Sequence, residues 1–429
     1  MEKDTVKIGL LGMGTIGSGV VALLKLNNKR INEKIGLNLV LERVADQDPA
    51  RLKSLELSQD HLTTEASLVL DDPEIDIIIE LIGGVEPARN FITRALENGK
   101  YVVTANKDLM AAHGEEILAL ARQKNLNVFY EASVGGAIPL IRPLKHSLVA
   151  DRIKRIVGIV NGTTNYIFTR MGQDNLNFDL ALSEAQKRGF AEAVPTNDIM
   201  GLDAVYKLAI LAGLAFGKRV SPEQIFVQGI NGVTHEDIVY AREIGYAVKL
   251  LAIGEELPDG LALRVHPALV PQDHPLASVS YEFNAIFIEG EAAGEVMFYG
   301  RGAGAMPTAT AVLADVAEAA RCICHQPACS VIEKITGMAN LVPIDSLSTR
   351  FYLRFLAEDR PGVFAALANA FGDEQVSLDM VIQKRRVNDS AEIVLVTHVV
   401  REDAFQKALT KVMRLPVIKP NPSMIRLLS

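Results

Sequence analysis

Through the first third of the chain, short apolar runs alternate with stretches of helical periodicity. Val6–Leu11, Asn38–Ala45, Ile75–Leu81, Tyr101–Thr104 and Asn127–Tyr130 read as strands, with helices at Ser18–Leu26, Arg89–Asn98 and Ala111–Lys124 between them. Runs such as Ile75–Leu81, apolar except for Asp76 and Glu80, read as buried parallel strands. Residues 1–135 are therefore expected to form a Rossmann-type doubly wound parallel sheet. From Asp151 the texture changes. Strands at Ile153–Val160, Ile225–Val227, Ala262–Leu269 and Ala285–Glu289, with helices over Gly201–Gly217 and near Asp237–Ile253, predict a mixed sheet layered with helices within residues 136–345. The glycine-rich stretch Gly300–Ala305 opens a long helix, about 306–324, read as returning to the first domain, with a simple helix start as the alternative. Beyond the linker Pro343–Arg350 come a strand (Phe351–Ala357), a helix stripe (Val363, Leu367, Ala370, Phe371), strands Val376–Gln383 and Ala391–Val400, a helix Glu402–Arg414 and a last strand from Val417. This βαββαβ order predicts a ferredoxin-like module over 350–429, so the class is α/β and α+β, multidomain.

Composition narrows the class. A chain of 429 residues exceeds one core, and 49% hydrophobic with 22% charged residues is the make-up of a folded soluble protein. The net charge of −8, with no basic run longer than the triplet Lys384-Arg385-Arg386, argues against nucleic acid as a partner. No signal peptide precedes the first strand and no apolar stretch is long enough to cross a bilayer, so a cytoplasmic protein without membrane contact is expected. Cys322, Cys324 and Cys329 crowd beside His325, but Cys-x-Cys spacing suits a zinc site poorly, and reduced thiols are expected.

Chemistry is concentrated in a few motifs. Val6–Leu11 meets Gly12-Met13-Gly14-Thr15-Ile16-Gly17 and then a helix, the order of a dinucleotide-binding turn. Gly12 makes the turn, Gly14 lets backbone approach a pyrophosphate, Gly17 lets helix and strand pack closely, and the helix N-terminus offers amides to the anion. Asp46, ending the second strand, is the candidate acceptor for ribose hydroxyls, though farther from the glycines than is usual. Thr104-Ala105-Asn106-Lys107 follows the carboxyl end of a strand, where ligands of open sheets bind, so Lys107 is either a site lysine or a solvated loop residue. Glu131–Pro139 is rich in small residues; its carbonyls could hold a monovalent cation, or its glycines could simply permit a tight crossover. The densest window is Ala185–Gly217. A loop carrying Glu192, Asn197 and Asp198 runs into an apolar helix whose only charges before Lys218 are Asp203 and Lys207, spaced i, i+4 on one face. Lys207 could donate a proton to a carbonyl oxygen while carboxylates hold a substrate ammonium; a surface ion pair is the alternative.

The segments GLLGMGTIGSGV, TANKDL, EASVGGAIPL, NGTTNYI and AQKRGFAEAVPTNDIMGLDAVYKLAIL together resemble, over essentially the full chain, bacterial homoserine dehydrogenases with a C-terminal ACT regulatory module. The monofunctional form of the family, without a fused amino-kinase domain, is the expected one. The resemblance implies reversible NAD(P)H-dependent reduction of L-aspartate 4-semialdehyde to L-homoserine; the residues themselves favour NAD, since Asp46 is followed by Gln47 and Asp48 with no arginine immediately after the strand. It implies Lys207 as proton donor, Lys107 as the second lysine of the site, and Glu192, Asp198 and Asp203 as substrate ligands. Gly12, Gly14, Thr15, Ile16, Gly17, Asp46, Lys107, Gly189 and Gly302 are the implied cofactor contacts. It implies a sodium-like ion at Glu131, Val134, Gly136 and Ile138. It further implies a catalytic and dimerisation domain over 136–345, a homodimer or homotetramer, and L-threonine as effector at the ACT module. The rivals from the residues themselves are a non-catalytic sensor and another semialdehyde dehydrogenase. An acylating enzyme of that kind would need a cysteine near the sheet's ligand edge, and none lies there.

Overall fold

The computed structural model describes residues 4–53, 55, 57–324, 335, 337–387 and 390–428. Two compact units emerge, one of Met1–Ile153, Tyr206–Pro222 and Glu289–Met338, the other of Lys154–Val205, Glu223–Ile288 and Ala339–Ser429.

The first unit is built on a parallel sheet in the order Leu62–Thr63, Asn38–Ala45, Thr5–Leu11, Ile77–Glu80, Tyr101–Thr104, Val128–Phe129. Apolar layers cover both of its faces. One joins Ile8 and Leu10 to Val20 and Leu24 of the helix Thr15–Ile35 and to Val312 and Val316 of the helix Ala305–Cys324. The other joins Ile78 and Val102 to Ile92 of Ala88–Glu97 and Ile117 of Lys107–Gln123. The late helix packs closely on the first: a Cβ at Gly19 would lie 2.5 Å from the carbonyl oxygen of Ala305. The helix expected from Ala111 begins instead at Lys107, because Asn106 caps it by accepting the N–H of Leu109. Lys107 is thus the first residue of a helix and not a loop residue.

In the second unit the strands run Phe283–Gly290, Ile153–Ile159, Tyr246–Leu257, Gly260–Pro271, Ser423–Leu427, Phe351–Glu358, Ser390–Thr397, Leu378–Val387. The expected helix near Asp237–Ile253 is corrected. It spans only His235–Glu243, Gly245 at φ +87° stops it, and Tyr246–Leu257 is a strand paired along its whole length with Gly260–Pro271. The longest apolar stretch of Tyr246–Leu257, Leu250–Ile253 after the buried Lys249, is too short for its period to separate the two states. The last strand is also corrected, from Val417 to Ser423–Leu427: Pro420 and Pro422 interrupt the chain, and Ile418 makes only an isolated bridge to Ala357. This strand pairs antiparallel with Phe351–Glu358 and parallel with Gly260–Pro271, at Ala268–Arg426 and Leu269–Leu427. The ferredoxin-like sheet therefore continues the mixed sheet without a break, over its own core of Phe351, Leu367, Phe371 and Phe405.

A buried polar cluster reinforces that junction. Fully buried Asp237 accepts hydrogen bonds from Arg354 Nε (2.6 Å), the Ser423 hydroxyl (2.8 Å) and the Tyr352 hydroxyl (3.2 Å). Arg354 also donates to Glu392 (2.9 Å), which accepts from the Tyr240 hydroxyl (2.6 Å) and Arg385 (2.8 Å). Burial is the largest single influence and disfavours the Arg354 charge, but the bond to and charge of Asp237, together with Tyr352 and the bond to Glu392, jointly outweigh it and raise its pKa. Among the described residues, Cys322 is buried and Cys324 half-buried, and neither makes a disulfide; Cys329 and His325 lie outside them.

Candidate active site

Two glycines of the first turn answer steric demands, and the third leaves open space. Gly12 sits at φ +97°, where a Cβ would lie 2.6 Å from the Leu81 carbonyl oxygen, and a Cβ at Gly17 would lie 2.0 Å from that of Gly12. Gly14 is different: nothing lies within 4 Å of where its Cβ would be, so a ligand can reach its backbone. It is the N-cap of Thr15–Ile35, with no side-chain cap, so the first-turn amides around Thr15, Ile16 and Gly17 are presented toward an anion. A cleft of about 450 Å³ opens here, lined by Gly12, Gly14, Asp46, Arg51, Leu81 and Ile82 among others. Asp46 is tied to the turn: its carboxylate accepts the N–H of Met13 at 2.5 Å and that of Asp48 at 2.8 Å. Arg43 is drawn away to the Leu68 carbonyl (3.3 Å) and Asp72 (3.4 Å). Arg51 remains at the cleft, 3.6 Å from Asp46 and 3.5 Å from Asp48.

Also in this unit, the segment from Glu131 is folded onto the helix Ala305–Cys324. The Glu131 carboxylate is 4% exposed and accepts three amides, from Leu140 (2.5 Å), Ile141 (2.8 Å) and Arg142 (2.8 Å), while its own N–H donates to Asp315 (2.8 Å). Burial, and then the Glu131 charge, push the Asp315 carboxyl up to about 8, although Arg142 donates to it at 2.8 Å. Gly135 and Gly136 hold φ of +74° and +56°, and Gly136 abuts the Gly302 backbone, with 2.5 Å from its would-be Cβ to the Gly302 oxygen. The side chain of Glu131 is thus occupied, and any cation here would have main-chain carbonyls as its ligands. Among the described residues no group of three or more His, Cys, Asp or Glu is arranged for a metal ion.

The helix Leu202–Phe216 begins after Gly201 at φ +80° and ends before Gly217 at φ +63°. It carries Asp203, 7% exposed, and one turn later the half-buried Lys207, beside fully buried Leu208 and Leu211. In the second unit, Asn161 donates from one amide nitrogen to Asp198 (2.6 Å) and Asp203 (2.9 Å). The Asn161 oxygen caps the helix Gly162–Gln173 through the Thr164 N–H at 2.9 Å. Asn161 therefore gathers two carboxylates that the chain keeps apart. Glu192 is exposed on the loop above, after Gly189 at φ +75°.

The pattern of the family described as Homoserine dehydrogenase matches residues 139–317, and that of its NAD-binding domain matches residues 12–131. The homoserine dehydrogenase of Synechocystis is 45% identical over 99% of this chain and 100% of its own length. The chain belongs to the homoserine dehydrogenase family. It is an NAD(P)-dependent oxidoreductase with a C-terminal ACT domain, matched over 351–417. The Bacillus subtilis homoserine dehydrogenase is 39% identical over 98% of both chains. The crystal structure of a homoserine dehydrogenase from Thiobacillus denitrificans superposes with a TM-score of 0.93 at 39% identity, covering all of both chains. An archaeal homoserine dehydrogenase solved in complex with NADPH matches 74% of this chain at 27% identity, with a TM-score of 0.63.

Within this homoserine dehydrogenase, Gly12, Gly14, Thr15, Ile16, Gly17, Asp46, Lys107, Gly302 and Lys207 belong to the first unit. Glu192, Asp198, Asp203 and Gly189 belong to the second. Sequence reasoning passed over Asn161. The available signal was an asparagine between a strand and a helix, followed three residues later by Thr164, but that pattern marks a cap and says nothing of which carboxylates the amide reaches.

Proposed function

We propose that this homoserine dehydrogenase interconverts L-aspartate 4-semialdehyde and L-homoserine with Lys207 as acid and base. The observation that carries the reading is one helix presenting Asp203, bridged by Asn161 to Asp198, and then Lys207 a turn later on an apolar face. When bound, the nicotinamide dinucleotide supplies or accepts the hydride at the carbon. Lys207 hydrogen-bonds the carbonyl oxygen, stabilises its growing negative charge and delivers the proton. Glu192, Asp198 and Asp203 hold the substrate ammonium, and Lys107 is the second lysine of the site. The direct test is nicotinamide absorbance with L-homoserine as substrate, which must change with the purified chain and not with a simple primary alcohol.

Gly12, Gly14, Thr15, Ile16, Gly17, Gly189 and Gly302 hold the cofactor, and Asp46 makes NAD the better one. A carboxylate pinned to the Met13 amide accepts ribose hydroxyls and repels a 2′-phosphate, while Arg43 is engaged with Asp72 and Arg51 is shared between Asp46 and Asp48. We expect kcat/KM to favour NAD by about tenfold or more, one such step being about 1.4 kcal/mol. A preference for NADP, the cofactor form named for the archaeal relative, overturns this. A sodium ion held by the carbonyls of Glu131, Val134, Gly136 and Ile138 fits a donor set whose one carboxylate is already spent on amides.

The enzyme acts in the cytoplasm as a homodimer or homotetramer. Its ACT module takes L-threonine near Asp359-Arg360-Pro361-Gly362 and the strand Leu378–Val387. Such a ligand shifts the enzyme only by its differential affinity for two arrangements, typically about 1–3 kcal/mol. Removing the module strips the paired strand Ser423–Leu427 from Gly260–Pro271, so a point variant is the cleaner probe. L-Threonine is expected to inhibit the full chain, and Asp359→Ala to raise the half-inhibiting concentration tenfold with threonine-free kcat within twofold. Identical inhibition curves, or none in the parent, sink the proposal.

A further inference from the structure

Glu80 ends the strand Ile77–Glu80 with no exposed surface, an unusual place for a carboxylate. Its Oε2 accepts the hydroxyl of Thr104 (2.7 Å), its register partner at the end of the neighbouring strand. Its Oε1 accepts the backbone N–H of Ile82 (2.8 Å) and, more weakly, that of Gly83 (3.4 Å). Thr104 Oγ1 in turn accepts the N–H of Asn106 at 3.0 Å, and the Asn106 amide donates to the Gly84 carbonyl at 2.6 Å. The ring closes: Glu80, Thr104, Asn106, Gly84 and back through Gly83 and Ile82. One side of it, Ile82, lines the dinucleotide cleft. The other, Asn106, is the N-cap whose next residue is Lys107.

We propose that Glu80 is the positioning residue for Lys107, acting through Thr104 and Asn106 to fix the first turn of its helix relative to the cofactor turn. The proposal rests on the reading of Lys107 as a lysine of the site. Polarity is what makes the carboxylate necessary. The Thr104 hydroxyl already accepts from Asn106, so its single proton must be donated, and an acceptor-only carboxylate receives it while also receiving Ile82. A glutamine in place of Glu80 turns one of those acceptors into a donor and sets it against the Thr104 proton or the Ile82 amide.

The test compares Glu80→Gln, Thr104→Val and Thr104→Ser in the full chain, reading kcat and, by nicotinamide fluorescence, the NADH dissociation constant. Glu80→Gln and Thr104→Val are each expected to lower kcat by ten- to a hundredfold with the dissociation constant within threefold. The double variant should be no worse than Thr104→Val by more than threefold, and Thr104→Ser, which keeps the hydroxyl, should stay within threefold of the parent. Unchanged kcat in Thr104→Val overturns the proposal. So does a tenfold weakening of NADH binding at constant kcat, or a Thr104→Ser as impaired as Thr104→Val. Lys107→Met, measured alongside, reports on the underlying assignment separately: if it turns over normally, Lys107 has no site role, whatever Glu80→Gln does.

Discussion

Lys207→Ala is expected to lower kcat by a hundredfold or more, about 3 kcal/mol of transition-state stabilisation, while leaving the NADH dissociation constant within threefold. The dissociation of effects follows from position. Lys207 sits mid-helix on Leu202–Phe216, whereas on the proposed reading the pyrophosphate is held by the amides that follow Gly14 on another helix. Asp203→Asn, one turn before it, should instead act through KM for homoserine, because it weakens recognition of the ammonium and leaves the proton donor in place. Steady-state rates across substrate and cofactor separate the two. A Lys207→Ala enzyme with near-normal kcat removes the acid from this mechanism.

The largest expected loss of stability comes from the ACT junction. Asp237→Ala deletes the acceptor for Arg354, Tyr352 and Ser423 and leaves a guanidinium that is only 14% exposed without its closest partner. Breaking a buried pair on one side typically costs about 3–5 kcal/mol, because the remaining charge has lost both water and its counter-charge. Denaturant unfolding monitored by circular dichroism should show that loss. Asp237→Leu combined with Arg354→Met should recover part of it, since no orphan charge then remains, and Glu392 keeps Tyr240 and Arg385. A loss under about 1 kcal/mol for Asp237→Ala means the cluster is hydrated and contributes as surface pairs do.

What the sequence made legible follows how local each signal is. The glycine turn could be read because its spacing directly after an apolar strand is itself a local pattern, with Gly17 set against the Gly12 carbonyl, and Gly201 and Gly217 bound the Lys207 helix in the same local way; the Leu81 carbonyl that Gly12 accommodates and the open space at Gly14 are visible only in the fold. The order of elements in the ACT module was legible for the same reason. Tyr246–Leu257 was not, since its short apolar stretch Leu250–Ile253 suits a helix as well as a strand until Gly260–Pro271 pairs with it. Asn161 and Glu80 were missed for a different reason. Their partners Asp198 and Thr104 are distant in the chain, and a polar side chain at a strand's end looks alike whether it meets water or organises a ring of buried bonds.

The parallel pairing of Ser423–Leu427 with Gly260–Pro271 bears on how this chain could exchange parts with its relatives. A regulatory module arriving by recombination would have to bring a final strand whose side chains suit the register at Ala268 and Leu269, together with an arginine and a serine that meet Asp237 as Arg354 and Ser423 do. Crossovers placed in the linker near Leu347 would therefore yield folded chimaeras only when donor and recipient share that seam. Crossovers that carry the whole stretch from Thr234 to Pro271 along with the module would be the permissive ones, since both Asp237 and the paired strand then travel with it.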